Sequence, residues 1–262
     1  MGIFDKLFGK KNTVPEPDNT PEPENNPEHQ SSSPYFPVLA DLGIEPVKYE
    51  SPFLRDFSYE EIEQMISANP LSAKYRRETQ QQSSNISTIE WEDFKQKSKC
   101  SFVSFDIETT GLDHESDYIV EVAAVRVKNG QIVEKYQQYV NPNIHMPADA
   151  QEINHITDEM LEGQPYIFEI IPNILDFFGS NIVVAHNATF DFRFLAMACL
   201  RYRFKVPRKW FDTMDLKQVW PEVKNRKLST FLEKAGIENQ NAHSALGDAE
   251  ALALLVIESL NK

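Results

Sequence analysis

Ser101-Phe-Val-Ser-Phe-Asp-Ile-Glu-Thr-Thr-Gly-Leu112 is the stretch on which the reading of this 262-residue chain turns. It opens apolar and β-prone, then sets Asp106 and Glu108 two residues apart. Alternate side chains of a strand share a face, so both carboxylates point the same way. Thr109-Thr110-Gly111 breaks the strand and leaves the acids near its carboxyl end. Like charges held that close repel each other unless a cation sits between them. Read alone, the same letters also fit a solvated edge strand with ordinary surface acids.

The residues that follow decide between those readings. Tyr118 to Val127 is a long β-prone run, Lys128-Asn129-Gly130 supplies a hairpin turn, and Gln131 to Val140 alternates as a third strand. Pro147 to Gly163 reads as short helices and turns, and Ile167 to Phe178 has helical periodicity. Ile182 to Ala185 is a short buried strand followed by a helix over Ala188 to Tyr202. Trp210-Phe-Asp212 is a last strand, with helices near Met214–Val219, Leu228–Ala235 and Ala245–Leu260 after it. The order βββαβαβα predicts an α/β domain with a mixed sheet.

Two later stretches add acids at helix starts, the first of them at the carboxyl end of a strand, where such a fold holds ligands. In His186-Asn187-Ala-Thr-Phe190-Asp191 a strand gives way to a helix, and Asp191 lies one turn beyond Asn187 on the same face. In His243-Ser-Ala-Leu-Gly-Asp248 an acid falls in the first turn of a long apolar helix, just after a histidine. Either acid alone is an ordinary helix-start residue. Together, Asp106, Glu108, Asp191 and Asp248 form an oxygen-only ligand set suited to a pair of Mg²⁺ or Mn²⁺ ions, without the cysteines or paired histidines that zinc prefers. Such a site, about 3.5–4 Å across, stabilises both the attacking and the leaving oxygen of a phosphodiester displacement. His243, which ordinarily titrates near neutrality, is the candidate general base.

On these three motifs the chain resembles the DEDDh family of 3′→5′ exonucleases, which includes the epsilon subunit of bacterial DNA polymerase III and ribonuclease T. Asp106 to Leu112 meets the family's Asp-x-Glu-Thr-Thr-Gly-Leu, Asn187 to Asp191 its Asn-x-x-Phe-Asp, and His243 to Asp248 its His-x-x-x-x-Asp. The resemblance implies a ribonuclease H-like fold: a mixed five-stranded sheet flanked by helices. It implies that the four acids ligate two ions and that His243 is the base. It further implies that Thr109, Thr110, Leu112, Asn187 and Phe190 meet the 3′-terminal nucleotide, Leu112 wedging against its base. The family's Gly-Ile-Thr segment reads His155-Ile156-Thr157 here, so a different backbone is expected at His155.

The expected function is therefore a two-metal 3′→5′ exonuclease acting on a free 3′ end of single-stranded nucleic acid, DNA first, and releasing 5′-mononucleotides. The alternatives are an exoribonuclease that trims RNA 3′ ends and a polymerase-associated proofreading subunit. A non-catalytic nucleic-acid-binding subunit fits less well, because all five catalytic positions are filled. The chain closes just after its last helix, which favours a free-standing nuclease or one tethered through its N-terminal third.

The rest of the chain frames that reading. Its 41% hydrophobic and 25% charged residues are ordinary for a globular protein. A net charge of −14 is unusual for a nucleic-acid binder. Basic residues do gather at Arg201, Arg203, Lys205, Arg208 and Lys209, and again at Lys224, Arg226 and Lys227. No apolar run reaches the roughly 20 residues of a membrane span. The first residues lack a signal-peptide core, and Lys6 stands where a myristoylation signal needs Ser or Thr. Cys100 and Cys199 lack metal-ligand spacing and read as buried free thiols, so a cytoplasmic location is expected. Residues 1–34 divide into a short amphipathic start, with Ile3, Phe4, Leu7 and Phe8 on one side, and a Pro-, Glu- and Asn-rich linker too poor in apolar side chains to order. Residues 35–98 read as a small helical appendage with capping boxes at Ser58–Glu61 and Ser87–Glu90. Residues 99–262 form the exonuclease domain.

Overall fold

The structure, a computed structural model, describes residues 88–202, 204 and 209–262. The expected amphipathic start, the linker, the appendage up to residue 87, and Arg203, Lys205 and Arg208 lie outside the described residues. Five strands form one sheet: β1 (Phe102–Thr109), β2 (Ile119–Lys128), β3 (Gln131–Tyr139), β4 (Val183–Ala185) and β5 (Trp210–Asp212), in the order β3-β2-β1-β4-β5. β1 pairs antiparallel with β2 and parallel with β4, so the strand bearing Asp106 and Glu108 is the middle one. The solvated-edge reading is thereby excluded. The hairpin from β2 to β3 turns at Asn129 and Gly130, both at positive φ as a tight two-residue turn requires.

Seven α-helices flank the sheet among the described residues: α1 (Trp91–Ser98), α2 (Ala148–Asn154), α3 (Asp158–Leu161), α4 (Ile167–Phe178), α5 (Ala188–Arg201), α6 (Leu228–Ala235) and α7 (Ala245–Leu260). The pleat of β1 sorts them. Val103, Phe105 and Ile107 point into a core completed by α4 and α5. Phe102 points into the opposite core, completed by α7, α6 and α1. By the same alternation Asp106 and Glu108 point toward α7. Ser104, fully buried on that face, donates to the carbonyl of Ala249 at 2.7 Å and pins α7 across the strand.

Three local expectations need correction. Ser87 of the expected capping box lies outside the described residues, and the helix it was to start begins three residues later than that box implies, at Trp91, without a side-chain cap bond. Thr88 bridges Trp210, and Ile89 N–H donates to the Trp210 carbonyl at 2.9 Å, so the sheet edge takes the backbone that the box would have used. Trp91 and Phe94 are then buried, Phe94 stacking on Phe211 at 4.4 Å, so this helix packs into the domain core. The segment after β5 is a 3₁₀ helix, Thr213–Gln218, whose Met214 N–H is held by the Asp212 carboxylate. Cys199 is buried as expected, but Cys100 is exposed, because Lys99 and Cys100 both take left-handed backbone to reverse the chain into β1. Among the described residues no helix is long and apolar enough to cross a membrane.

Candidate active site

Carboxylate oxygens of Asp106, Glu108 and Asp248 lie within 4.8 Å of one another. β1 supplies the first two from one face, and the first turn of α7, docked on that face, supplies the third. Asp191 comes from α5 on the opposite side of the sheet, is 3% exposed, and stands outside that tight group. It accepts the backbone N–H of Ile107, between the two β1 acids, and its charge bears on Asp106. All four acids therefore meet at the carboxyl end of β1, three packed closely and one reaching in from behind.

Electrostatics there disfavour bare charge. Burial, then the charges of Asp191, Asp248, Glu108 and Glu121, holds the Asp106 carboxyl well above the usual carboxylate range. Burial followed by the Glu121 and Asp248 charges pushes Glu108 up to about 8, against a hydrogen bond from Asn154. Asp191 is raised by burial and then by Asp212, and Asp248 is raised by burial. A crowd of oxygens whose proton affinity is raised suits hard divalent cations, whose charge opposes each of these shifts. The donor set thus fits the Mg²⁺ or Mn²⁺ pair.

The remaining expected residues lie on or beside the elements that carry these acids. His243 is exposed, its φ is 65°, and its backbone N–H donates to Asp248 Oδ2 at 3.3 Å. Leu112 is 86% exposed. The Thr110 hydroxyl accepts the Tyr118 N–H at 3.0 Å and donates to Asp117, while Thr109 donates to the Gly111 carbonyl at 2.5 Å. Both threonine hydroxyls are thus engaged within the loop that carries Leu112. Gly111 leaves room there for the Asp117 carboxylate, which a Cβ would meet at 2.3 Å and displace. Asn187 is exposed at a φ of 58°, and Phe190, half-buried, packs its ring 4.9 Å from that of Phe194. His155 has a φ of 60°, the left-handed backbone that a glycine favours, so the expected change of backbone is not seen.

Several residues escaped the sequence reading. Glu121, opposite Glu108 in the β1–β2 register and 1% exposed, accepts Gln137 Nε2 at 2.6 Å and the Ala245 N–H at 3.1 Å, holding the first residue of α7. Its signal was an acid inside the apolar run Ile119-Val-Glu-Val. Asp212 does the same for α5, accepting the N–H groups of Asn187 and Ala188 at 3.1 Å each. Asn154 bonds Glu108 and donates to the Thr109 carbonyl at 3.3 Å, tying α2 to the site, and leaves its neighbour Ile153 60% exposed. His186, between Thr213 and the Arg226 carbonyl, is lowered by burial, so its Nε2 donates to that carbonyl and fastens the exposed Lys224–Lys227 loop beside β4. No local pattern marks Asn154 or Asp212. A cleft beside the Leu112 loop, lined by His114, Asp117, Tyr118 and Phe194 among others, holds none of the four site acids.

A family model described as Exonuclease (RNase_T) matches residues 103–256. A PolC-type DNA polymerase III of Bacillus subtilis is 39% identical over 163 residues, covering 61% of this chain and 11% of the polymerase. That of Clostridium perfringens is 36% identical over 162 residues, covering 62% and 11%. The chain thus spans about a tenth of the length of these relatives. Exonuclease X, solved in complex with 5′-overhanging duplex DNA, is 31% identical, with a TM-score of 0.52 over 61% of this chain and 91% of its own. The nuclease domain of 3′hExo, a DEDDh family member bound to rAMP, is 20% identical, with a TM-score of 0.52 over 62% of this chain and 92% of its own, a likeness of fold. The ribonuclease H-like sheet implied by the motifs is the sheet found here.

Proposed function

The chain belongs to the DEDDh-type 3′→5′ exonuclease family, and on that premise we propose that it hydrolyses single-stranded DNA from a free 3′ end, releasing 5′-mononucleotides with the help of two divalent cations. The observation that carries this is the meeting of Asp106, Glu108 and Asp248 within 4.8 Å, with Asp191 bonded to the strand between the first two. These four would hold the cations, which when bound supply charge stabilisation to the displaced phosphate and ease deprotonation of the attacking water. His243, on the exposed side of Asp248, takes that proton. The phosphorus–oxygen bond to the penultimate nucleotide's 3′ oxygen breaks, and the terminal nucleotide leaves with its 5′ phosphate.

Positioning falls to the rim. Leu112 and Ile153 are both apolar and exposed, and Asn154, next to Ile153, is tied to the Thr109 carbonyl near the start of the Leu112 loop, so the two side chains would flank one splayed base, with Phe190 helping to wall it. Stacking of this kind tolerates any base and needs an unpaired end. Thr109 and Thr110, their hydroxyls already used, fix the Leu112 loop. Asn187, exposed at the head of α5, would meet the sugar–phosphate of the terminal nucleotide. Lys224, Arg226 and Lys227 lie exposed on the loop that His186 fastens beside β4, where phosphates upstream would pass, offsetting the chain's acidic balance locally.

Hydrolysis of matched 3′-labelled DNA and RNA oligomers with Mn²⁺, by wild type and by Asp106→Ala, tests the proposal. Release of labelled mononucleotide from DNA by wild type alone is expected. Equal release by both proteins overturns the catalytic assignment, and faster RNA cleavage moves the substrate to RNA. A second reading, proofreading in company with a polymerase, is favoured by the PolC-type relatives. Preferential removal of a mismatched 3′ nucleotide from a primer–template would support it.

A further inference from the structure

The connection from α6 to α7 carries His243 at left-handed backbone, a conformation that costs a non-glycine residue about 1–2 kcal/mol and persists only where neighbours enforce it. The neighbours are few and specific. Asn239 uses both ends of its amide: Oδ1 accepts the Asn241 N–H at 3.2 Å, and Nδ2 donates to Asp248 Oδ1 at 2.5 Å. The Asn241 carbonyl in turn accepts the Ser244 N–H at 3.2 Å, and His243 N–H donates to Asp248 Oδ2 at 3.3 Å. Each oxygen of Asp248 therefore receives one donor from this loop and keeps a lone pair for the side facing Asp106 and Glu108.

Gly247 makes the arrangement possible. A Cβ there would fall 2.2 Å from the Asn241 carbonyl oxygen, so only glycine lets the loop close onto α7. The loop is thus pressed against the helix from one side by Gly247 and tied to the carboxylate from the other by Asn239. The carboxylate plane of Asp248 and the placement of His243 are then one geometric fact rather than two.

We infer that Asn239 is a positioning residue that couples Asp248 to the His243 loop, setting cation ligation and proton transfer together while touching neither substrate nor cation. This rests on the exonuclease reading above. Partners that orient ligating carboxylates typically change metal affinity or activity by about 10–100-fold when removed. Asn239→Ala removes both bonds. Asn239→Asp keeps an acceptor for Asn241 but loses the donor to Asp248. Gly247→Ala pushes the loop away while leaving Asn239 intact.

The experiment compares full-length wild type with these three variants. It reads kcat and KM on a DNA oligonucleotide, the half-saturating Mn²⁺ concentration, Mn²⁺ binding by electron paramagnetic resonance, and Tm. For all three variants kcat is expected to fall about 10–100-fold and Mn²⁺ binding to weaken, with KM within about twofold and Tm nearly unchanged. Unaltered kcat and Mn²⁺ binding in Asn239→Ala would overturn the inference. So would Asn239→Asp behaving as wild type, or a fall in kcat that tracks a lowered Tm with Mn²⁺ binding unchanged. If wild type itself proves inactive, the exonuclease reading fails separately. Mn²⁺ binding alone then decides the coupling: weaker binding in the variants sustains it, and equal binding ends it.

Discussion

α5 and α7 each deliver an aspartate to the same strand end, and each delivers it from the fourth residue of the helix, Asp191 and Asp248. Each is also docked by its first N–H groups onto an acid from the sheet, Asp212 for α5 and Glu121 for α7. Their faces differ. α7 lies on the side to which Asp106 and Glu108 point, so Asp248 joins them within 4.8 Å at a partly open rim. α5 lies on the other side, so Asp191 reaches round the strand, 3% exposed, and accepts a backbone N–H on the way. The same helix-start chemistry thus yields one accessible carboxylate and one entombed carboxylate. Strand pleat, not helix sequence, makes the difference.

The largest test of that contrast replaces each aspartate by its neutral isostere. Asp191→Asn and Asp248→Asn are both expected to lower nuclease turnover by about a thousandfold, as loss of transition-state charge stabilisation does. They should part in stability without metal. Thermal unfolding should show Asp191→Asn gaining more than Asp248→Asn, because the more deeply buried carboxylate bears the heavier desolvation. Equal Tm shifts would erase the distinction between the two faces.

Glu108 gives the next effect. Its folded pKa lies at about 8, above the ordinary 4.5, so the folded state binds more protons than the unfolded state between those values. Metal-free stability is then highest below about pH 4.5 as far as this group is concerned, and falls as pH rises toward 8, by up to about 1.4 kcal/mol per pH unit. Denaturant melts at pH 5 and pH 8 check this, and Mn²⁺ should abolish most of the difference. A metal-free protein more stable at pH 8 would contradict the crowding of acids at β1.

Fastenings on the two faces come third. Asp212→Ala frees the N–H groups of Asn187, Ala188 and Met214 and should cost about 1–2 kcal/mol, as lost helix caps do. Ser104→Ala loses a single bond to the Ala249 carbonyl and should cost about 1 kcal/mol. Equilibrium unfolding ranks the two, and the reverse order would mean that α7 is the more tightly held. The smallest effect belongs to His155→Gly, which changes no hydrogen bond of either helix start. It relieves left-handed backbone and should stabilise by no more than about 1 kcal/mol, measured in the same way.

Much of the fold was legible because periodicity is local. The alternation in β1, the Asn129-Gly130 turn and the helical spacing of Ile167 to Phe178 are each written within a dozen residues. The helix expected from Ser87–Glu90 began late because the decisive partner, Trp210, lies more than a hundred residues away. The candidate site divides the same way. Asp106 and Glu108 share a face by strand geometry alone, and the three motifs named Asp191, His243 and Asp248. Asn154, Asp212 and Asn239 carried no mark, because an amide or acid in a loop means nothing until its partner is in place.

The letters alone named the acids that the fold brings to one strand end, showed that they offer only oxygen donors, and set out the order of strands and helices. Only the tertiary structure decided that three of those acids crowd together while the fourth is sealed behind the strand. It also assigned the two threonine hydroxyls to a loop and coupled the histidine's loop to the last acid. The physical reason is that side-chain type and spacing are properties of neighbours along the chain, whereas burial, proton affinity and hydrogen-bond partnership belong to neighbours in space.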